Sequence, residues 1–351
     1  MSTQPPTGEA KIIAVESEKG GQGKTTTSAN LGTMLALMGR KVLLVDCNPD
    51  GGLTFSLGYD KEQFEDSTYE VLLDEAKETR KRTFQKIIVP TWFNPESKGF
   101  FDPNQRVAPA DQSSPTVLEA LKARGVTPVR GPYLAPISSM AVHADSELKS
   151  AAPMTWFLTL RDALAPVLPF FDYVVLDTNP SAGCLSAIAL SAAHYFYVPI
   201  VPEMLSVKGM LALFKTVKTT RKVANPNLQL AGILFTKVQN YRSHRDIILQ
   251  LRQELAQEYP DMHISFFETQ IQQCKDGVDA SADRSVAVVH RPYTDHSITY
   301  WFFLGELIQK VGGSAVALLP EVLRGIRDRQ EQQRQAGQQR REEREARTSQ
   351  Q

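Results

Sequence analysis

The sequence predicts a single α/β domain, a mostly parallel sheet flanked by helices on both faces. Three observations predict it. First, continuous apolar runs recur, among them Ile12-Ile13-Ala14-Val15, Val42-Leu43-Leu44-Val45 and Tyr173-Val174-Val175-Leu176. Strands apolar on both faces belong in the middle of a parallel sheet. Second, helix-compatible stretches separate these runs, the rhythm of βαβ units. Third, the first run leads into Glu18-Lys19-Gly20-Gly21-Gln22-Gly23-Lys24-Thr25-Thr26 and then a helical run. A glycine turn between strand and helix is the setting of a phosphate-binding loop.

The glycines let backbone N–H groups converge on anionic oxygens, and the helix N-terminus adds positive charge there. Gly20, Gly21, Gln22, Gly23 and Thr26 form the cradle. Lys24 is placed to reach the β- and γ-phosphates, and the Thr25 hydroxyl to ligate Mg²⁺. Two later strands end in carboxylates, Asp46 and Asp177. Right-handed crossovers bring strand ends to one edge, so loop and carboxylates are expected together. A carboxylate beside a phosphate loop holds the hydration shell of the metal.

The loop resembles the deviant Walker A motif of the ParA/MinD superfamily of partition and positioning ATPases. The resemblance runs from Lys11 to about Val311 and implies a P-loop NTPase that uses ATP and Mg²⁺. In that family the early lysine, here Lys19, crosses a dimer interface to the partner's nucleotide. The first Asp of the family's DxDPQG pattern matches Asp46. The second, which positions or activates the attacking water, is Asn48 in this chain. An amide holds a water but cannot take its proton. Either Asp50 partly replaces the missing carboxylate, or hydrolysis is expected to be slow and the protein to linger in its ATP state. Asp177-Thr178-Asn179-Pro180-Ser181 resembles the DTPPS switch with Asn179 in place of a proline. The adenine-flanking IPR segment reads Ile271-Gln272-Gln273 here, which leaves the base contacts open. The expected catalytic set is Lys19, Lys24, Asp46, Asn48 and Asp177, with Thr25, Asp46 and Asp177 at the metal.

The other elements follow in order. Residues 67–79 read as a helix with a Ser67-Thr68 start and Glu70 after it. Residues 85–89 read as a strand. Seven prolines then punctuate 90–132, which looks like an insertion relative to the family. Its helix candidate is 116–124, ended by Gly125. Trp92, Phe93, Phe100 and Phe101 argue against disorder there, leaving a partner surface or a packed flap as alternatives. A strand at 133–137 and a helix at 144–168, broken near Pro153, complete this half. His194 reads as structural.

A helix opening at Pro202-Glu203 runs to about 223. It carries Lys215, Lys218 and Lys222 on one face, with Arg221 beside them. Arg242 and Arg245 enter the next helix. These six are the DNA-binding candidates, through phosphate contacts, against the plainer reading of a solvated face. Strands are expected at 230–235 and 264–267. The aromatic helix 294–311, with Tyr300, Trp301, Phe302 and Phe303, reads as core.

Residues 11–320 are thus expected to form one domain behind a flexible start at 1–10. The Arg/Gln/Glu-rich 321–351 is expected to be solvated or helical, or a DNA tether. It lacks the apolar face of an interfacial membrane helix. The formal net charge of zero requires any DNA contact to use a local patch. Cys47, Cys184 and Cys274 are scattered, so neither a disulfide framework nor a zinc site is expected, and reduced cytoplasmic thiols are the default. No leader-like or membrane-spanning run is read.

The resemblance implies an ATP-dependent homodimer that binds DNA without sequence preference and moves plasmids, chromosomes or cargo over the nucleoid. A ParB-like or other cargo-adaptor protein is implied to stimulate it. Two other readings stand beside it. One is a nucleotide-locked binding module that hardly turns over because of Asn48. The other is an enzyme using the same loop for reductase or metal-cluster chemistry, which the lack of paired cysteines disfavours.

Overall fold

The computed structural model describes residues 9–108, 113–180, 183–258, 264–292 and 294–313, together with Arg324 and Glu331. Nine strands form one sheet: β1 (Lys11–Val15), β2 (Val42–Cys47), β3 (Val89–Phe93), β4 (Phe100–Phe101), β5 (Val129–Ala135), β6 (Tyr173–Thr178), β7 (Tyr195–Ile200), β8 (Gln229–Val238) and β9 (Phe266–Gln272). Their order is β4-β3-β5-β2-β6-β1-β7-β8-β9. The seven strands from β5 to β9 in that order pair in parallel, while β3 runs antiparallel to both β4 and β5.

Side chains alternate between the two faces, which is why the central strands are apolar throughout. Ile12, Ala14, Leu43 and Val45 pack into one core with the helices Thr68–Ala76, Cys184–Ala192 and Met204–Val223. Ile13, Val15, Val42 and Leu44 pack into the other, under the helices Lys24–Leu37 and Asp295–Lys310. A Cβ on Gly32 would lie 2.6 Å from Leu44 Cδ2, so glycine lets the first helix settle onto β2. Tyr300, Trp301 and Phe303 are buried as expected, whereas Phe302 is exposed. His194 is structural: its Nδ1 accepts the Ile12 N–H at 3.2 Å.

The proline-rich stretch departs from expectation. Residues 84–87 form a short helix, and the strand begins at Val89, where the expected one ended. The segment is packed, because β3 and β4 extend the sheet through Trp92↔Phe101 and Phe93↔Phe100. Pro90, which has no N–H to give, sits at a register shift between β3 and β5. The helix candidate is present as Val117–Ala123, closed by a Thr116/Glu119 capping box. Among the described residues no helix is long and apolar enough to cross a membrane. Apart from Arg324 and Glu331, the expectations for 321–351 lie outside the described residues, as do those for 1–8 and Ser181.

Candidate nucleotide site

The phosphate loop links β1 to the helix Lys24–Leu37. Gly23 precedes that helix at φ 86°, a left-handed conformation that strains any side chain. Lys24 is buried, and its ammonium donates to the Ser17 carbonyl at 3.4 Å and the Ser17 hydroxyl at 3.1 Å. Burial pulls its pKa down, against the opposing pull of Asp177, Glu16 and Asp50. A buried ammonium with two long contacts is a cation suited to an incoming anion.

Asp46 and Asp177 are direct neighbours across β2 and β6. Asp177 accepts from the Thr25 hydroxyl at 2.7 Å and the Ser28 hydroxyl at 2.9 Å. Asp46 accepts from the Thr54 N–H at 2.9 Å, the Thr54 hydroxyl at 2.7 Å and the Asn48 N–H at 3.1 Å. Burial, reinforced at Asp46 by Asp177, pushes these carboxyls up to about 7 and about 6. Two buried carboxyls side by side, next to the Thr25 hydroxyl, are an all-oxygen donor set suited to Mg²⁺. Asn48 lies beside them, its side-chain carbonyl accepting the Asp50 N–H at 3.2 Å.

Next to Gly23 and Thr26 opens a cavity of about 490 Å³, lined by Thr236, Ile271, Gln272, Cys274, His296 and Tyr300 among others. The segment 271–273, whose base contacts the sequence left open, therefore borders the loop.

Residues 13–284 match the family described as the CobQ/CobB/MinD/ParA nucleotide binding domain. The chain belongs to this family. The sporulation initiation inhibitor protein Soj of Bacillus subtilis (strain 168) is 29% identical to it over 251 residues, 72% of this chain and 81% of Soj. The chromosome partitioning protein ParA of Caulobacter vibrioides (strain NA1000 / CB15N) is 29% identical over 228 residues, 64% of this chain and 69% of that protein. Among solved structures, cobyrinic acid a,c-diamide synthase from Mycobacterium smegmatis, with bound ATP analog and magnesium, is similar at TM-score 0.63. It is 27% identical and covers 89% of this chain and 100% of its own. The Cyanothece McdA–ATP complex, 18% identical at TM-score 0.62 over 88% and 99%, shares the fold.

In this ParA/MinD-family chain the early lysine is separate from the cradle. Lys19 pairs with Glu203 at 2.7 Å, both side chains partly open to solvent. Gln22 fastens the loop from inside: its side-chain carbonyl accepts the Val201 N–H at 2.6 Å, and its backbone carbonyl accepts the Thr236 hydroxyl at 2.8 Å. Neither Glu203 nor the Gln22 lock was foreseen, since both depend on contacts about 180 residues apart.

Lys215, Lys218 and Lys222 are exposed along one helix, as their spacing predicts, and Arg242 and Arg245 are exposed on the next. Arg221 is half-buried. Its guanidinium turns inward and donates to the Leu228 carbonyl at 2.8 Å, and burial pulls its pKa down. At the end of a helix an arginine can serve the following turn, and Arg221 does so.

The sequence reading also missed Glu16, although an acid directly after an apolar strand was the available sign. Glu16 is buried and accepts from the Ser186 hydroxyl at 2.6 Å. Burial pushes its carboxyl up to about 8, against the opposing effects of Ser186, Lys24 and Thr178, while Asp177 adds to the rise. The unfolded carboxyl ionises near 4.5. Between these values the folded state holds a proton that the unfolded state has released, so stability falls as pH rises through that window. Glu16→Gln is therefore expected to lie within about 1 kcal/mol of the wild type near pH 5 and to exceed it by about 4 kcal/mol at pH 8. Denaturant titrations at the two pH values check this. An equal difference at both would show that the proton on Glu16 is not the cause.

Proposed function

We propose that this protein is a ParA-type switch driven by ATP and Mg²⁺. Two copies close on two ATP molecules, and the pair binds DNA without sequence preference. Hydrolysis, stimulated by a ParB-like or other cargo adaptor, separates the copies and releases the DNA. Such a cycle serves partition of a plasmid or chromosome, or positioning of cargo on the nucleoid in the cytoplasm. The relatives named for chromosome partitioning and sporulation control support this reading.

The observation that carries it is the contrast in placement between two lysines of one loop. Lys24 is buried inside the cradle, where it meets the phosphates of its own subunit. Lys19 stands at the surface, held by a carboxylate that another subunit's triphosphate can outbid. Within each subunit Thr25, Asp46 and Asp177 would hold Mg²⁺, which would supply positive charge to the triphosphate. Asn48 orients water without accepting its proton. Lys215, Lys218 and Lys222 face DNA and release counterions from it, so affinity falls steeply with salt.

Sedimentation velocity with and without Mg-ATP tests the switch. The wild type is expected to dimerise only with ATP, and DNA binding is expected to follow the dimer. Lys19→Gln should bind ATP and stay single. Glu203→Gln should dimerise at up to about five-fold lower ATP, the scale of one partly exposed ion pair. Single subunits of wild type at saturating Mg-ATP would sink the proposal.

A further inference from the structure

We infer that the cavity beside Gly23 and Thr26 takes the nucleotide base and that Arg284 is a positioning residue that ties it to the carboxylate Asp46. The inference rests on the ATP reading above and adds a route by which the base is felt at the metal.

The helix Lys275–Ala282 forms one wall of the base cavity through Gly277, Val278, Ser281 and Ala282. Just beyond it, Arg284 adopts φ 48°, a left-handed backbone that a residue with a Cβ takes up only when its surroundings hold it there. Those surroundings come from the proline-rich stretch. The Phe100 N–H donates to the Arg284 carbonyl at 2.9 Å, and the Ser285 hydroxyl donates to the Lys98 carbonyl. The turn between β3 and β4 thus grips the end of the cavity wall, which gives the inserted segment a physical role.

The Arg284 side chain continues the path. Its guanidinium carbon lies 4.2 Å from the centroid of the Phe55 ring, and its Nη2 donates to Asp60 at 3.1 Å. Phe55 belongs to the short helix Gly52–Ser56, which starts directly after the loop carrying Asn48 and Asp50. The Phe55 N–H donates to the Gly51 carbonyl at 2.9 Å, closing that loop. The neighbouring Thr54 gives both its N–H and its hydroxyl to one oxygen of Asp46. From cavity wall to Arg284, to Phe55, to Thr54, to Asp46, each step is a direct contact or a covalent neighbour. A cation on an aromatic face retains its attraction when partly exposed, and the planar guanidinium covers the ring better than an ammonium does. A base seated in the cavity fixes the wall helix, and Arg284 passes that constraint to the helix that orients Asp46.

The experiment compares a ligand with a base and one without. Affinities of the full-length protein for ADP and for pyrophosphate are measured by calorimetry, each with and without Mg²⁺. In the wild type, Mg²⁺ is expected to strengthen ADP binding more than pyrophosphate binding. Arg284→Met should cut the gain for ADP by about three- to ten-fold and leave the gain for pyrophosphate unchanged. Arg284→Lys should recover part of it. Phe55→Leu should reproduce the loss, and the double variant should be no worse than either single one. If Arg284→Met keeps the wild-type contrast, or weakens both ligands equally, Arg284 is a surface staple and the inference fails alone. If wild type binds neither ligand, the nucleotide reading fails and takes this inference with it.

Discussion

Lys24→Met is expected to lower ATP affinity about 100-fold, the scale of losing charge-assisted hydrogen bonds to phosphate in a water-poor site. It is expected to do so without lowering the melting temperature of the nucleotide-free protein. Lys24 is buried and, among the described residues, its ammonium donates to the two Ser17 oxygens, one of them at 3.4 Å. Burying that ammonium opposes folding, as the downward pull on its pKa records. Methionine fills similar space without the charge. Binding isotherms and thermal melts on the same samples check both halves. A variant that melts many degrees lower would make Lys24 a structural residue and would leave the loss of binding without meaning.

The same tension runs through the site. Asp46, Asp177 and Glu16 are fully buried carboxyls, all pushed upward, and Asp177 and Glu16 act electrostatically on one buried lysine. Evolution toward stability alone would replace such groups with apolar ones. On the proposed function a ligand of opposite charge pattern would complete them: a polyanion for Lys24, a divalent cation for the two aspartates. Glu16 is the instructive case. It contacts Ser186 on the helix Cys184–Ala192, which follows the Asp177 loop, and stays protonated rather than adding a third charge.

How much of this was legible in the sequence follows from the range of the interactions involved. Phosphate loop, Asp46 and Asp177 were readable because each is a local pattern: a glycine turn, or a carboxylate closing an apolar strand. Topology then brought them together without further information. Helix starts were readable where a cap announced them, as at Ser67, Thr116 and Thr294, whose hydroxyls each accept a backbone N–H. The edge strands β3 and β4 were not. β4 is two residues long, too short for any period to appear, and β3 contains a proline. The Gly52–Ser56 helix is equally brief, and nothing in its own sequence announces the Phe55 contact to Arg284. The bond from Arg221 to the Leu228 carbonyl was not legible, because spacing along a helix says nothing about a carbonyl in the next turn. Glu203 was missed because the pairing of Lys19 with it is a property of two distant strand ends.

Asn48→Asp is expected to raise the steady-state rate of phosphate release about 10- to 100-fold, at the lower end of what a positioned general base contributes. Asn48 is almost fully buried next to Asp46, and its side-chain carbonyl already accepts the Asp50 N–H at 3.2 Å. A carboxylate of the same shape keeps that bond and gains the ability to accept a proton from water. It also adds a third acid beside Asp46 and Asp177, whose carboxyls are raised by burial. Like charges in one buried site raise one another's pKa, so the variant is expected to fold less stably by about 1 kcal/mol without Mg²⁺. Bound Mg²⁺ should restore the difference by mass action. Faster turnover together with a metal-dependent loss of stability is the signature of a carboxylate gained at the metal edge. Asp50→Ala gives the converse arm. Asp50 is exposed and close enough to Lys24 to affect its titration. If it substitutes in part for the acid missing at 48, its removal lowers the wild-type rate and leaves the Asn48→Asp rate unchanged. Phosphate release unaffected by either change would show that position 48 does not limit hydrolysis. On the proposed cycle the slow step would then lie in subunit separation.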